Sequence, residues 1–474
     1  MKGILNFFIL LFPIMVIAQQ DSSTSFIVLE HVNVIDATGA DVQSDMTVVI
    51  NGNRIVSLEK TSNVSIPSNA VVINASGKYL IPGLWDMHVH VFNNVSKTPP
   101  DINDFTMYIA NGVTGIREMW TQIDAMPQVN LWRKQINDGT STIPRIGAVG
   151  TMVDGSPTQW KNSDTANSEA GARLIVQRIK AAGIDFVKVY NRLPRKAYFA
   201  IADECKKQHI PFVGHIPNRV LLKEAADAGQ RSIEHLTGSR IIFDEDCASF
   251  VAEVNKELPD SIAANSPSVP IMEQVLALCD ENKAFALYQY MANKNVWQCP
   301  TMTLYKRFAT DTTKIFGDPR LRYISVSEKM LWKKQTGSRM KNPDSAYLKN
   351  VFAQVALMKK AGMQFLAGTD VDNDYLYPGF SLHDELALFA NAGFTTMEAL
   401  QTATINPAKF LGTIDSLGTI QKGKIADMVL LDANPLTDIR NTRLINAVFI
   451  NGKYLSKDIL QKMLAKIEEA VIKN

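Results

Sequence analysis

The feature that most constrains the fold is a regular alternation of short apolar runs with helix-like segments between residues 79 and 411 of the 474-residue chain. Strands rich in valine and isoleucine that alternate with helices are typical of a parallel sheet covered by helices on both faces. Eight such runs occur, beginning near residues 80, 112, 144, 185, 211, 231, 296 and 363. Eight units predict an α/β fold of the (β/α)8 type, a TIM barrel over 79–411. The alternative is an open doubly wound sheet, but no GxGxxG motif follows the early runs.

Both ends of the chain differ from the middle. Residues 25–78 contain short strand-like stretches separated by turn residues such as Asn51-Gly52, and the pattern returns in "GKIADMVLLDANP" and "NAVFINGKYL". Such punctuation is typical of paired strands. We therefore predict that 25–78 and 412–455 form one small β-sandwich domain, and that a helix over 456–474 follows it. Two long segments, 239–270 and 306–342, follow the sixth and seventh strands, where long loops are more often functional caps than passive links.

The N-terminus has the layout of a secretory signal. Lys2 precedes an apolar run from Ile4 to Ala18, and the sequence becomes polar at Gln19. The run is shorter than the ~20 residues that a membrane span needs, so we predict a signal peptide over 1–18. The mature protein would then be exported, periplasmic or extracellular, with no stable membrane span. A buried N-terminal helix or an uncleaved anchor is the alternative.

Charge and cysteine usage argue against several kinds of partner and site. The formal net charge of +2 gives no reason to expect nucleic acid as a partner. The four cysteines have no CxxC spacing, which disfavours a zinc ribbon or a redox pair. Cys247 and Cys279 are the best candidates for a disulfide, because both lie in what we interpret as one insertion. Four buried free thiols are the alternative, and the sequence does not indicate the number of subunits.

Metal-ligand types of side chain gather at the predicted carboxyl ends of the barrel strands, where barrel enzymes build their active sites. His88 and His90 lie one residue apart, so on a strand both imidazoles point to the same side. Singly, each residue of this kind is more often a packed strand residue than a ligand. Burying all of them together without compensation would be costly, and we therefore predict a metal site. The set comprises His88, His90, Lys188, His215, His235 and Asp370.

The same residues carry a family resemblance. In barrel order they read HxH, Lys, His, His, Asp, introduced by "LIPGLWDMHVH" and followed by "HDELALFANAGFTTMEALQTATINPAKFLG" and "GTIQKGKIADMVLLDANPL". This order resembles the amidohydrolase superfamily, and within it the imidazolonepropionase and prolidase-like branch. The resemblance covers nearly the whole mature chain. It implies a hydrolase built from a TIM barrel and a split β-sandwich.

The resemblance also implies a centre of two divalent metal ions, usually zinc. Lys188 would bridge the ions after reacting with CO₂, because a carbamate offers two oxygens that can span metals about 3.5–4 Å apart, whereas an ammonium group cannot bind a cation. Neutral imidazole and carboxylate groups suit zinc or a similar divalent ion. The implied assignment gives one ion to His88, His90 and Asp370, and the other to His215 and His235.

The predicted mechanism follows from the two ions. A water bridging them has its pKa lowered toward ~7, so hydroxide is available at neutral pH to attack a carbonyl, and Asp370 would pass the water proton to the leaving amine. Tyr190, on the same strand face as Lys188, is a candidate to stabilise the oxyanion, or else a packed aromatic residue. His383, just beyond the eighth strand, is a candidate catalytic or substrate-binding residue, or else a helix-start cap. Arg117, at the end of the second strand, is a candidate to bind a substrate carboxylate.

The leading hypothesis is an exported metal-dependent amidohydrolase that cleaves a C–N bond in a dipeptide, an N-acyl amino acid or a cyclic amide. A lactonase or phosphotriesterase is an alternative, because the same centre activates water and does not itself determine which type of bond is hydrolysed. A deaminase is disfavoured, since deaminase relatives typically use one metal ion and lack the bridging lysine. A ligand-binding barrel without activity is the non-enzyme alternative, and the intact ligand set argues against it.

Overall fold

The computed structural model describes residues 26–92, 102–238, 280–339 and 345–473. The predicted signal peptide over 1–18 lies outside these residues, and so do the first predicted insertion, 239–270, and the proposed disulfide partners Cys247 and Cys279. Cys205 and Cys299, which lie within them, are buried free thiols. Among the helices of the described ranges, none has both the length and the apolar character that a membrane crossing requires.

The strands of the described residues belong to two sheets, one of eight strands and one of nine. The first sheet takes its strands from both ends of the chain, and the second takes them from the middle. In chain order the strands are β1 (Ile27–Val34), β2 (Gln43–Asn51), β3 (Arg54–Lys60), β4 (Val71–Asn74), β5 (Tyr79–Pro82), β6 (Leu84–Val89), β7 (Val113–Glu118), β8 (Arg145–Asp154), β9 (Asp164–Thr165), β10 (Phe186–Val189), β11 (Phe212–Gly214), β12 (Ser232–Glu234), β13 (Trp297–Cys299), β14 (Gln364–Phe365), β15 (Met428–Leu431), β16 (Ile445–Ile450) and β17 (Lys453–Ser456).

The helices lie mostly between the strands of the second sheet. One further helix follows the last strand, within the range 456–474. In chain order they are α1 (Ile102–Ala110), α2 (Met126–Asn137), α3 (Glu169–Ala181), α4 (Arg195–Gln208), α5 (Leu222–Ala228), α6 (Glu281–Asn293), α7 (Met302–Phe308), α8 (Thr312–Phe316), α9 (Val326–Arg339), α10 (Ser345–Lys360), α11 (Phe380–Asn391), α12 (Thr396–Thr402), α13 (Ile405–Leu411) and α14 (Lys457–Lys473). Short 3-10 helices occur at Thr61–Asn63, Ile123–Ala125, Pro319–Tyr323 and Ile439–Arg443.

Both ends of the chain contribute strands to one sheet. Its strand order is β17-β16-β15-β5-β1-β2-β3, with β4 paired to β1. The ends meet where β5 and β15 pair antiparallel, with Tyr79 opposite Leu431. Fully buried apolar side chains, among them Leu29, Leu430 and Phe449, form the core of this sheet. Because the strands are joined in one continuous sheet, the division into two facing layers of a sandwich stays a prediction.

The middle of the chain has a TIM-barrel-like α/β fold. Strands β6, β7, β8 and β10 to β14 are consecutive neighbours, and β9 pairs with β8. Each of the eight predicted apolar runs contains one of these eight parallel strands. The backbone N–H of Met87 donates to the carbonyl of Ala367, and that of Asp370 donates to the carbonyl of His88. These bonds bring the segment after the last strand beside the first strand, which is the closure that a barrel requires.

Local sequence signals explain where the outer helices begin and end. The hydroxyl of Ser168 accepts a hydrogen bond from the backbone N–H of Gly171, so it caps α3. Helix α4 ends at Gln208, and the residue after it, His209, has a left-handed φ of 50°. The second predicted insertion, 306–342, contains α8 and α9, and the ring of Trp332 in α9 lies 5.1 Å from that of Tyr375. The insertion therefore packs against the segment that follows Asp370, at the carboxyl end of the barrel.

Candidate metal centre

The predicted ligand-type side chains meet at one end of the barrel. They lie at, or one or a few residues beyond, the carboxyl ends of β6, β10, β11, β12 and β14. Because parallel strands end on the same face of a barrel, this placement follows directly from the chain order of the strands. The residues brought together are His88, His90, Lys188, His215, His235 and Asp370, and all but His90 are buried.

One group of these atoms is centred on the carboxylate of Asp370. Its Oδ1 atom lies 3.2 Å from Nε2 of His88 and 3.1 Å from Nε2 of His90. The Nζ atom of Lys188 lies 3.4 Å from the first of these imidazole nitrogens and 3.5 Å from the second. One ligand atom each from His88, His90 and Asp370 therefore lies within 4.8 Å of the other two. Two imidazole nitrogens and a carboxylate oxygen at this spacing suit a divalent cation.

A second pair of imidazoles lies beside the first group. The ring centroids of His215 and His235 are 4.9 Å apart, and the ring of His235 is 4.5 Å from that of His88. Nδ1 of His215 contacts Oδ1 of Asn191 at 2.8 Å, whereas its Nε2 is buried and has no hydrogen-bond partner among the described residues. A buried polar atom without a partner requires an explanation. One explanation that fits this set of donors is a second cation bound to Nε2 of His215.

Side chains that the sequence analysis missed hold the imidazoles in place. Nδ1 of His88 contacts Oε2 of Glu234 at 2.8 Å, and Nδ1 of His235 contacts the hydroxyl of Thr301 at 2.7 Å. A carboxylate or hydroxyl on the second ring nitrogen fixes the tautomer of a metal-binding histidine. The available signal was local, because Glu234 directly precedes His235 in the sequence.

The backbone around the site is tightly constrained. A Cβ atom on Gly368 would lie 2.7 Å from Cβ of His88 and 2.5 Å from Sγ of Cys299, so only glycine lets the last strand approach the first one this closely. Asp370 and His235 have φ angles of 62° and 57°, in the left-handed region. Non-glycine residues in that region are strained, and such residues cluster at functional sites.

Burial sets the charge states of the ligand-type groups. It lowers the pKa of His90 to about 4 and that of His235 to about 3, so both imidazoles are neutral at pH 7. Burial also lowers the pKa of Lys188 to about 8. Burial alone would raise the pKa of Asp370, but the neighbouring imidazoles, with His235 the largest contributor, hold it well below its usual range. Neutral imidazole and ionised carboxylate are the states that bind divalent cations.

Arg117, predicted to bind a substrate carboxylate, lies inside the barrel, and this position gives the prediction no support. The side chain is 1% exposed. Its guanidinium donates hydrogen bonds to the carbonyl of Met87, to Oγ of Ser232 and to both carboxylate oxygens of Glu234. Because its donors are engaged inside the barrel, Arg117 positions Glu234 and, through it, His88.

The position of His383 also gives no support to the prediction that it binds substrate or takes part in catalysis. His383 lies in α11 and is 1% exposed. Its Nδ1 contacts the hydroxyl of Thr442 at 2.9 Å, and its Nε2 contacts the backbone carbonyl of Asn111 at 3.0 Å. Both ring nitrogens therefore have partners within the fold. Through them, His383 links α11 to the segments that contain Asn111 and Thr442. It is not a helix cap either, since α11 begins after Gly379.

Tyr190 directly follows β10 and lies beside the candidate metal centre. Its ring centroid is 4.0 Å from that of His215, and its hydroxyl accepts a hydrogen bond of 3.0 Å from Nε1 of Trp160. Burial raises the pKa of Tyr190 to about 12, so the hydroxyl keeps its proton at neutral pH. A hydroxyl that accepts one bond and retains its own proton can still donate to a ligand oxygen. Its role in stabilising an oxyanion stays a prediction.

Solved structures with the same fold include several hydrolases. Bottromycin amidohydrolase has a TM-score of 0.69 and 20% identity, over 94% of this chain and 90% of that one. A putative prolidase from Bifidobacterium longum has a TM-score of 0.63 and 21% identity, over 94% and 99% of the two chains. Molinate hydrolase has a TM-score of 0.61 and 18% identity, over 92% and 95%. At these identities the likeness establishes the fold.

Sequence comparison gives the family. A dihydroorotase of Caldanaerobacter subterraneus subsp. tengcongensis is 40% identical over 65 residues, which is only 14% of either chain. Residues 79–455, well over half of the chain, match the amidohydrolase family. This match agrees with the resemblance that the ordered motifs indicated. The chain belongs to the amidohydrolase family, and so to the hydrolases that act on carbon–nitrogen bonds.

Proposed function

We propose that the protein is an exported, metal-dependent hydrolase of an amide or peptide-like C–N bond in a small molecule, such as a dipeptide, an N-acyl amino acid or a cyclic amide. The observation that carries the proposal is the convergence of four imidazoles, a buried lysine and a carboxylate at the carboxyl end of one barrel. The proposal includes two zinc ions, the first held by His88, His90 and Asp370, the second by His215 and His235.

Lys188 would complete the centre as a carbamate. Its lowered pKa leaves part of the amine neutral near pH 8, and only the neutral amine has a lone pair for CO₂. The new N–C bond would form as an amine proton is released to solvent, and the product would carry one negative charge shared by two oxygens, each able to bind a cation. Lys188 is 1% exposed, so the carbamate would be shielded from water-driven loss.

The remaining steps use the residues around the bond to be cleaved. Bound divalent ions lower the pKa of water and polarise a carbonyl oxygen. Asp370, with two imidazoles within 3.2 Å of its Oδ1, is held as a carboxylate that can accept the proton of the attacking water. The same carboxyl then delivers that proton to the leaving nitrogen. Tyr190 donates its hydroxyl proton toward the oxygen that becomes negative.

A substrate screen with metal removal tests the function. We expect the purified protein to release free amine from at least one dipeptide or N-acyl amino acid, to lose this activity on dialysis against a chelator, and to regain it with Zn²⁺. Lactones and phosphotriesters serve as comparison substrates, because the same centre can activate water against them. Hydrolysis of those esters alone, or amide hydrolysis that survives metal removal, would contradict the proposal.

A further inference from the structure

Two tryptophans lie next to the candidate metal centre. Trp120 follows β7, and its ring centroid is 6.3 Å from that of His90. Trp160 lies in the loop after β8, with its ring 6.0 Å from that of Trp120. Both follow the carboxyl ends of barrel strands, so they share the face on which the metal ligands lie. Trp160 is 44% exposed, which leaves apolar area beside a polar site that a ligand can cover.

The two indole N–H groups differ in their partners. Nε1 of Trp160 donates to the hydroxyl of Tyr190. Nε1 of Trp120 is buried and has no acceptor among the described residues. An indole nitrogen can only donate, and a buried donor without an acceptor lowers stability. One hydrogen-bond donor is therefore left for a ligand oxygen at this side of the centre.

The loop that carries Trp160 is fixed to the centre at a second point. Oε1 of Gln159 accepts a hydrogen bond of 3.2 Å from the side-chain amide of Asn191, and Oδ1 of Asn191 contacts Nδ1 of His215. The buried carboxylate of Asp154 in turn accepts a bond of 3.0 Å from the backbone N–H of Gln159. Because these bonds already fix the loop that carries Trp160, the loop loses little conformational entropy when a ligand binds to it.

We propose that Trp120 and Trp160 form a subsite for an aromatic ring on the substrate, so that the enzyme acts on amides bearing an aryl group next to the scissile bond. Ring stacking on Trp160 supplies affinity, and the N–H of Trp120 donates to an oxygen of the group that carries the ring. The inference rests on the proposed function and names its substrate class. Trp120 and Trp160 would then determine substrate specificity, whereas the proposed metal ligands determine the reaction.

Calorimetric titration with two inert ligands tests the subsite separately from turnover. N-benzenesulfonylglycine and N-methanesulfonylglycine carry the same charge and the same sulfonyl oxygens, contain no amide bond to hydrolyse, and differ in the ring. We expect zinc-loaded protein to bind the first ligand at least about tenfold more tightly than the second. Trp160→Ala should remove most of that preference. Trp120→Phe should weaken the binding of both ligands, because it removes a donor to the sulfonyl oxygens that both ligands possess. The preference for the ligand with the ring should remain.

Trp132→Phe is the matched control. Trp132 lies in α2, where its ring packs against Phe92 and Phe105, and its exchange should leave both affinities unchanged. Equal affinities for the two ligands, binding of neither, or a preference that Trp160→Ala leaves intact would overturn the subsite. If the protein hydrolyses no amide but still prefers the ligand with the ring, the proposed function is contradicted and the aromatic subsite is not.

Discussion

Replacement of Asp370 by asparagine is expected to lower kcat/KM for amide hydrolysis by about 10²–10⁴-fold, the usual contribution of a general acid and base. The amide keeps the shape of the side chain and an oxygen that can bind a cation. It cannot accept the proton of the attacking water at neutral pH, so the leaving nitrogen would have to depart without protonation. Steady-state kinetics on the best substrate of the screen, with metal content measured on the same preparation, checks this expectation.

Asp432→Asn is the matched control for this variant. Asp432 directly follows β15, and it pairs with Lys78 at 3.0 Å and with Lys457 at 2.9 Å. The same chemical change at this position should leave kcat/KM within about twofold of the parent, as surface substitutions usually do. An Asp370→Asn enzyme that keeps its metal and turns over within about tenfold of the parent would exclude the assigned proton transfer.

Lys188→Met is expected to have an effect of similar or larger size, about 10³-fold or more in kcat/KM, because it removes the group that would bridge the two ions. Methionine is apolar and nearly as long as lysine, so the buried position stays filled and the fold should survive. Formate or acetate, added at millimolar concentrations, can supply a carboxylate where the carbamate would lie. We therefore expect partial rescue of the variant by these anions and none of the parent.

Lys180→Met provides the comparison for Lys188→Met. Lys180 is exposed in α3, and its exchange should not change activity. Full activity of the Lys188 variant would contradict any role of the lysine in the centre. Loss of activity without rescue, in a protein that still holds its metal, would contradict the carbamate and leave a positioning role for the ammonium group.

The barrel was predictable from the sequence because its signal is local. A strand such as "FVKV" is apolar and short, helix α3 begins after a capping serine, and each predicted run contains one strand. The convergence of the ligand-type side chains was predictable for the same reason. Each of them lies at the end of a run, and the geometry of parallel strands brings such ends to one face.

The roles of Arg117 and His383 were not predictable, because their partners are distant in sequence. The strand end at Arg117 is visible, but the acceptor that occupies its guanidinium is Glu234, 117 residues away. His383 is held by a backbone carbonyl 272 residues away and by Thr442. A sequence shows which side chains carry polar groups, whereas the folded chain decides which of those groups are already engaged.

The aromatic subsite illustrates the same limit. Trp120 and Trp160 follow different strands, and nothing in their local sequences indicates that their rings lie 6.0 Å apart. Loop conformation placed them together, and loops carry most of the specificity of barrel enzymes.

The most direct test of the account is the metal content per chain, measured by elemental analysis of protein grown with added zinc, beside the Lys188→Met variant. About two ions per chain are expected in the parent and a clear loss in the variant, because the proposed carbamate on Lys188 would hold both ions. A single ion that is indifferent to Lys188 would contradict the two-ion centre, and a chain without stoichiometric metal would contradict the mechanism as a whole.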